Sequence, residues 1–369
     1  MKNKICCVFN LAPHYRLSIY KLMDEQLECD FYFGDKVDAP IKLLNYSELK
    51  GYKSELKNSK ILNTSFTWQK GAWKLIFKPY RHYIINGGPN FLANWLILFF
   101  AKLLGKKVHS WDHGMKGDPA TKYKFFEYYF YKLCDTVFLY GNYSKNVMLN
   151  KGFSKEKLVC IYNSLDYERQ IEIRQNLLKT KIYEDYFKND APVISYIGRI
   201  QKSKKIDLLI KAIGSLNSAN IPCNLIVIGP NVENENMSDK VTQLNLENNV
   251  WFYGPCYDEQ LIGDLLYNSD VCVTPGAIGL TAIHAMAYGT PVITSDNFLI
   301  HGPEFETITP DVTGDFFKND NLEDLTLKIK KWINLNQEEQ KITKQNAFKV
   351  IDDKYNPLYQ IEVLKTALK

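Results

Sequence analysis

Two segments hold residues whose types and spacing suit an anion. Thr274–Thr290 (TPGAIGLTAIHAMAYGT) runs from a buried strand through Pro275 and Gly276 to Gly279 and into a helix from about Leu280 to Tyr288. Gly289 stops that helix and Pro291 opens the next strand. The first turn of a helix has N–H groups without intrahelical acceptors, and the helix dipole adds positive potential there. The amides of Gly279, Leu280 and Thr281 can therefore donate to a diphosphate, with the Thr281 hydroxyl as a further donor. The plain alternative is that Gly276 and Gly279 only make a tight turn. His284 follows on the same side of the first helical turn. A helix N-terminus disfavours an imidazolium, so a neutral ring able to bond a sugar or ribose hydroxyl is expected, against the alternative of a packed bystander. The second segment, Gly198-Arg199, ends a strand-like run, with Lys204 and Lys205 before a helix at Ile206. Arg199 offers a bidentate fork for phosphate and Lys204 a point charge; a solvated cluster of Lys202, Lys204 and Lys205 is the alternative.

No DxD carboxylate pair occurs in the chain, so no metal is implied and no cofactor is expected. The 46 Lys and Arg against 41 Asp and Glu give a net charge of +5, a mild bias that suits small anions or an anionic membrane surface and argues for no nucleic acid. The eight cysteines are scattered, mostly in apolar runs and without CxxC pairing, which reads as buried hydrophobes in a reducing compartment. Met1–Asn10 enters a strand-like run without a signal-peptide pattern, so a cytoplasmic protein, peripheral on the inner face of the plasma membrane, is the expectation. Phe91–Leu104 (FLANWLILFFAKLL) is shorter than the roughly 20 residues that cross a bilayer, and reads as a core helix or as one partly buried in a membrane surface.

These segments need a scaffold of strand ends. The 369 residues exceed one ordinary core. Strand-like runs at Lys4–Asn10, Cys29–Gly34, Arg81–Gly87, Lys107–Asp112, Thr136–Tyr140 and Lys157–Tyr162 alternate with helical patterns. A polar stretch at Asp166–Asp190 follows. The alternation resumes at Val193–Gly198, Leu225–Gly229, Asn249–Gly254, Val271–Pro275 and Pro291–Ser295. Strands alternating with helices predict parallel sheets covered on both faces. Three of the later strands end in Gly, which lets backbone approach a ligand closely. The expected architecture is α/β, two doubly wound Rossmann-like domains facing a central cleft. The first covers 1–170 and the second 171–351, with a helix at about 352–369 packing back onto the first.

As a set, these elements resemble the retaining glycosyltransferases of family 4, which have the GT-B fold. The resemblance lies at Gly198-Arg199 with Lys204, Gly229-Pro230, Phe252–Gly254, Gly279-Leu280, Ala285-Met286-Ala287, Gly289 and Pro291-Val292-Ile293, and covers nearly all of Val193–Phe317. In the first half it rests on Pro13-His14-Tyr15-Arg16 and Asp112-His113-Gly114. The resemblance implies that Arg199 and Lys204 neutralise a donor diphosphate with the Gly279–Thr281 amides, that Gly198 and Gly229 line the site, and that Tyr253 and Gly254 lie near the base. It implies that His113 reaches the donor sugar and the reacting centre, and that His14, Tyr15 and Arg16 border donor and acceptor. The family usually carries two Glu eight positions apart, for the sugar and the ribose; here those positions are Gly276 and His284. Bacterial surface-polysaccharide enzymes of similar pattern carry the same pair, followed by His301-Gly302-Pro303-Glu304-Phe305-Glu306. Glu304 and Glu306 are candidates for the missing carboxylate, with a solvated loop as the alternative.

The resemblance thus implies transfer of a sugar from a nucleoside-diphosphate sugar, UDP being the commoner carrier, to a glycan or polyprenyl-linked saccharide in capsule, exopolysaccharide or lipopolysaccharide synthesis. A GT-B nucleotide-sugar 2-epimerase or an inactive nucleotide-sugar binding protein are the rival readings. A phosphorylase would need pyridoxal phosphate and usually a longer chain. A nicotinamide oxidoreductase fits poorly, because Asn10–Arg16 (NLAPHYR) lacks GxGxxG.

Overall fold

A computed structural model describes residues 4–37, 42–62, 64–118 and 124–369. The chain divides into two compact units, Met1–Asp166 with Asn356–Lys369, and Tyr167–Tyr355.

The first unit is built on β1 (Ile5–Phe9), β2 (Asp30–Gly34), β3 (Tyr52–Leu56), a small hairpin of β4 (Asn58–Lys60) and β5 (Thr67–Gln69), then β6 (His82–Ile85), β7 (Lys107–Asp112), β8 (Thr136–Leu139) and β9 (Leu158–Cys160). Seven of these form a parallel sheet in the order β3-β2-β1-β6-β7-β8-β9. The run Ile-Cys-Cys-Val-Phe of β1 is buried on both faces, as the middle strand of a covered parallel sheet must be. Helix Leu17–Leu27 buries Ile19, Tyr20 and Met23. Ile361 and Leu364 of the C-terminal helix Pro357–Ala367 share that core. Gln360 of the same helix is buried and donates to the Tyr162 carbonyl (2.9 Å).

The second unit has β10 (Val193–Ile197), β11 (Asn224–Ile228), β12 (Val250–Gly254), β13 (Val271–Thr274), β14 (Val292–Ser295) and β15 (Gly314–Phe317), all parallel, in the order β12-β11-β10-β13-β14-β15. The apolar stripe of helix Ile206–Ser218 buries Ile206, Leu209, Ile210, Ile213 and Leu216 against this sheet. The strand order reverses at β1/β6 in one unit and at β10/β13 in the other. Ligands of open α/β sheets bind beyond the carboxyl ends of strands at such a point.

The unit boundaries differ from expectation: the second unit starts at Tyr167 rather than 171 and runs to Tyr355 rather than 351. Helix Tyr167–Asn176 belongs to the second unit, because Ile173 packs on Gly263 of helix Glu259–Asn268. Strands β3 (YKSEL) and β15 (GDFF), each at a sheet edge, lie outside the expected set, because neither carries an apolar run. Helix Leu92–Leu104 is a core helix on one face, as the first reading of its sequence has it, and apolar and exposed on the other. Ala93, Ile97, Leu98 and Ala101 are buried, while Phe99 and Leu103 are 57% and 68% exposed. Among the described residues no helix is long and apolar enough to cross a membrane.

Candidate functional site

In the second unit the anion-suited segments meet at the switch point. The loop after β10 carries Gly198, Arg199 and Lys204, and the loop after β13 carries Gly276 to Leu280. The two are laced together by Gly276 N–H to the Lys204 carbonyl (3.0 Å) and Ala277 N–H to the Ser203 carbonyl (2.9 Å). The next amide, Ile278 N–H, donates to His301 Nδ1 (3.1 Å). His301 is buried, and its Nε2 lies 2.8 Å from the Ser295 carbonyl, so the proton sits on Nε2 and the ring is a neutral bridge. Protein acceptors therefore take the amides of 276 to 278. The amides of Gly279, Leu280 and Thr281 have no acceptor among the described residues, and they open the helix Thr281–Ala287.

The cations lie at the same point. Arg199 is exposed and its guanidinium makes no bond among the described residues. Lys204 Nζ donates to the Ala277 carbonyl. Burial and then the Arg199 charge push the Lys204 ammonium below its ordinary range, while Glu304 pulls it back up. Glu304 is itself buried, so the solvated-loop reading of it does not hold. Its Oε2 lies 3.9 Å from where a Cβ on Gly279 would be and 2.4 Å from one on Gly302. Glu306 is only half-buried.

Several expected roles change in detail. The Thr281 hydroxyl donates to the Ile197 carbonyl (2.9 Å), so its proton serves the strand end and not a ligand. Gly229 has φ +145°, and a Cβ there would meet the Gly198 carbonyl at 1.9 Å. The backbone approaching Gly229 is thus its neighbour strand's rather than a ligand's. Gly276 is buried, and a Cβ would meet the Ser203 carbonyl at 2.0 Å, so this backbone leaves no room for the Glu that the family pattern has there. Gly254 has φ +85° and open space beside it. Tyr253 is half-buried, its ring 5.2 Å from Trp251.

His284 turns to a carboxylate rather than to an open loop. Its Nε2 donates to Glu259 Oε1 (3.0 Å), which also accepts from the Tyr288 hydroxyl (2.7 Å) and Gln170 Nε2 (3.1 Å). Burial alone would raise the Glu259 carboxyl, but the bonds from His284, Tyr288 and Gln170 outweigh it and hold the group down at about 2. Glu259 starts the helix after β12, a position that no motif in the sequence marks.

In the first unit, the other predicted residues also gather at a switch point. Pro13–Arg16 follow β1, and Asp112-His113-Gly114 follow β7. Arg16, Tyr15, His113, Asp112 and Tyr140 line a cavity of 360 Å³. The Arg16 guanidinium lies over the rings of Trp111 (5.5 Å) and Tyr140 (5.0 Å) and donates to the Tyr140 hydroxyl. His113 N–H donates to Asp112 Oδ1 (2.8 Å), while Asp112 Oδ2 is buried without a partner. Burial raises the Asp112 carboxyl to about 6, against the opposing pull of the His113 amide, Arg16 and the Tyr131 hydroxyl, which lies near Oδ2 without closing a hydrogen bond of ordinary geometry. His14 is exposed, with Nδ1 3.2 Å from the Lys42 carbonyl, and stands at the edge of this group. A larger cavity of 520 Å³, lined by Lys179, Tyr267, Asp270, Pro291 and Lys344, opens where β13 and β14 begin, the wrong end of the sheet for a ligand.

Residues 179–350, nearly all of the second unit, match the family model of the glycosyl transferases group 1. The chain is 25% identical over 211 residues to an uncharacterized 41.2 kDa protein in the cps region of Klebsiella pneumoniae, covering 54% of this chain but only 56% of that protein. It is 25% identical over 332 residues to the capsular polysaccharide biosynthesis glycosyltransferase CapM of Staphylococcus aureus, covering 85% and 84% of the two chains. The solved structure of HepE from Anabaena, in complex with UDP, superimposes with a TM-score of 0.74 over 99% of both chains at 16% identity. The fold is therefore GT-B, two Rossmann-like units with parallel sheets.

Proposed function

We propose that this protein is a retaining glycosyltransferase that moves a hexose from a nucleoside-diphosphate sugar, UDP being its carrier, to a glycan or polyprenyl-linked saccharide of a bacterial surface polysaccharide. The observation that carries the reading is the second-unit switch point, where the loops that carry Arg199, Lys204 and three unspent amides are laced together. Similarity to CapM, a capsular polysaccharide glycosyltransferase, supports the pathway class, and the UDP complex of HepE supports the carrier.

In the proposed reaction the bond from the anomeric carbon to the diphosphate oxygen breaks, and an acceptor hydroxyl forms its bond on the same face. The leaving phosphate takes the hydroxyl proton. Negative charge grows on that phosphate, where Arg199, Lys204 and the Gly279–Thr281 amides stabilise it. Glu304, buried beside Gly279, is our assignment for the sugar-facing carboxylate that position 276 cannot hold. His113 is assigned to the reacting sugar, and Arg16 with Tyr15 to the acceptor. No divalent metal takes part in this scheme. Exposed Phe77, Phe99, Leu103, Phe125 and Tyr129 of the first unit, with Lys74, Lys102 and Lys132 on the same helices, are assigned to the anionic membrane surface that presents a lipid-linked acceptor.

The test is a panel of UDP-, GDP-, ADP- and dTDP-sugars followed by thermal shift with EDTA present, since a ligand at about 100 times its Kd stabilises by roughly 2.7 kcal/mol. One sugar nucleotide should raise Tm by several degrees, and its hexose should then pass to an acceptor with the anomeric configuration kept. No stabilisation by any member overturns the reading. Release of a free sugar isomer without acceptor would favour the epimerase instead.

A further inference from the structure

The polar cluster around Glu259 does more than fold the second unit. One carboxylate oxygen, Oε1, takes all three donors, His284, Tyr288 and Gln170. The other, Oε2, has no partner among the described residues, and the side chain is 28% exposed. A group placed only for stability would spend both oxygens, because an ionised carboxylate has about four acceptor sites to fill. Three donors on one oxygen instead fix the carboxylate's plane and leave its free edge to solvent.

Position points the same way. Glu259 follows β12 and the Tyr253-Gly254 turn at the carboxyl end of the sheet. Its partner His284 lies three residues beyond Thr281 on one helix, a rise of about 4.5 Å from the unspent amides. In a nucleoside diphosphate the ribose is joined directly to the α-phosphate, so a nucleotide whose diphosphate rests on those amides brings its ribose to the turns next to them. The two hydroxyls of a ribose are vicinal donors, and a carboxylate edge is their natural acceptor.

We propose that Glu259 reads the ribose diol of the bound nucleotide through Oε2, with His284 acting as a positioning residue that holds the carboxylate through Oε1. The proposal rests on the nucleotide-sugar reading of this site. It moves the ribose contact off His284 itself and onto a residue of the neighbouring helix.

The test compares the full-length protein's affinity for UDP and GDP with that for 2′-deoxy-UDP and 2′-deoxy-GDP, by calorimetry. For whichever base binds, the wild type should prefer the ribonucleotide by at least about tenfold, the size of a hydrogen bond to a charged group. Glu259→Gln should bring that preference to within about twofold by weakening the ribonucleotide alone. Loss of a purely structural group would weaken both nucleotides together and leave the ratio standing, which overturns the proposal. So would a ratio that survives Glu259→Gln and collapses in His284→Ala, which would put the ribose on the imidazole. Should the Gln variant fold poorly, Glu259→Asp keeps the charge but withdraws it by one methylene, and the ratio must still fall. A wild type that binds neither nucleotide refutes the site reading rather than the choice of residue.

Discussion

The two switch points differ in how their buried polar groups are satisfied. Among the described residues, seven buried side-chain polar atoms have no partner; six are in the first unit and one in the second. Of the six, Arg16 Nε, Ser110 Oγ, Trp111 Nε1 and Asp112 Oδ2 gather where β7 ends. In the second unit the loops are laced by backbone bonds, His301 bridges two chain segments, and only Thr274 Oγ1 is left over. A buried polar atom without a partner costs about 1–3 kcal/mol, so such a cluster signals a site that its ligand completes. On the proposed reading the second unit holds a defined anion on backbone already in place, and the first keeps bonding capacity open for an acceptor with many hydroxyls.

The sharpest break of this contrast is Arg199→Ala. The side chain is exposed and makes no bond among the described residues, so the fold should be untouched and Tm unchanged within a degree or two. Turnover should fall by about 10²–10³, the usual cost of removing one preorganised group that stabilises transition-state charge. Steady-state assay beside a melting curve checks both. Near-normal turnover in a folded variant would remove Arg199 from the reaction and leave the second-unit site without its main cation.

The two sites were unequally legible in the sequence. The second-unit loops could be read because their chemistry is carried by backbone, and Gly, Pro and helix starts mark backbone directly. Gly276 and Gly229 were visible as glycines, but their reason was not. Each accommodates a neighbouring segment's carbonyl, and that segment is far away in sequence. Glu259 went unmarked because its role depends on Gln170, His284 and Tyr288, from two other helices. Strands β3 and β15 were missed because YKSEL is mostly polar and GDFF is short and opens on Gly-Asp, so neither carries an apolar run. Asp112 was read as part of a motif, whereas its burial follows from the sheet and from Gly88, whose Cβ would meet Asp112 Oδ2 at 2.6 Å.

Asp112→Asn sharpens the comparison with an effect of opposite sign to ordinary core damage. Burial raises the Asp112 carboxyl from 3.8 to about 6 in the folded protein, so ionisation costs stability. That cost is fully present above pH 6, shrinks as pH falls through 6, and is gone below 3.8, where both states are protonated. The Asn variant carries no charge to bury. It should be more stable than wild type by on the order of 2 kcal/mol at pH 8, with the gain vanishing by pH 4. Denaturant melts at the two pH values measure it. A variant less stable at pH 8 would mean that Asp112 is already compensated in the free protein, and the first site would then be as complete as the second.

The smallest effect belongs to the second unit's own exception. Thr274 ends β13 at 1% exposure, its carbonyl takes the Thr294 hydroxyl (2.8 Å), and its own hydroxyl has no partner. Thr274→Val replaces that hydroxyl with a methyl of like shape. Removing an unpaired buried group this way is close to neutral or stabilising, so Tm should stay or rise by about 1–3 °C. The informative measurement is sugar-nucleotide affinity in the same variant. Unchanged affinity makes the orphan hydroxyl a leftover of strand-forming Thr at a sheet end, and the second site is then complete without its ligand. A fall of about tenfold with Tm preserved would mean that the hydroxyl waits for the ligand as Asp112 does, and the difference between the two sites would become one of degree.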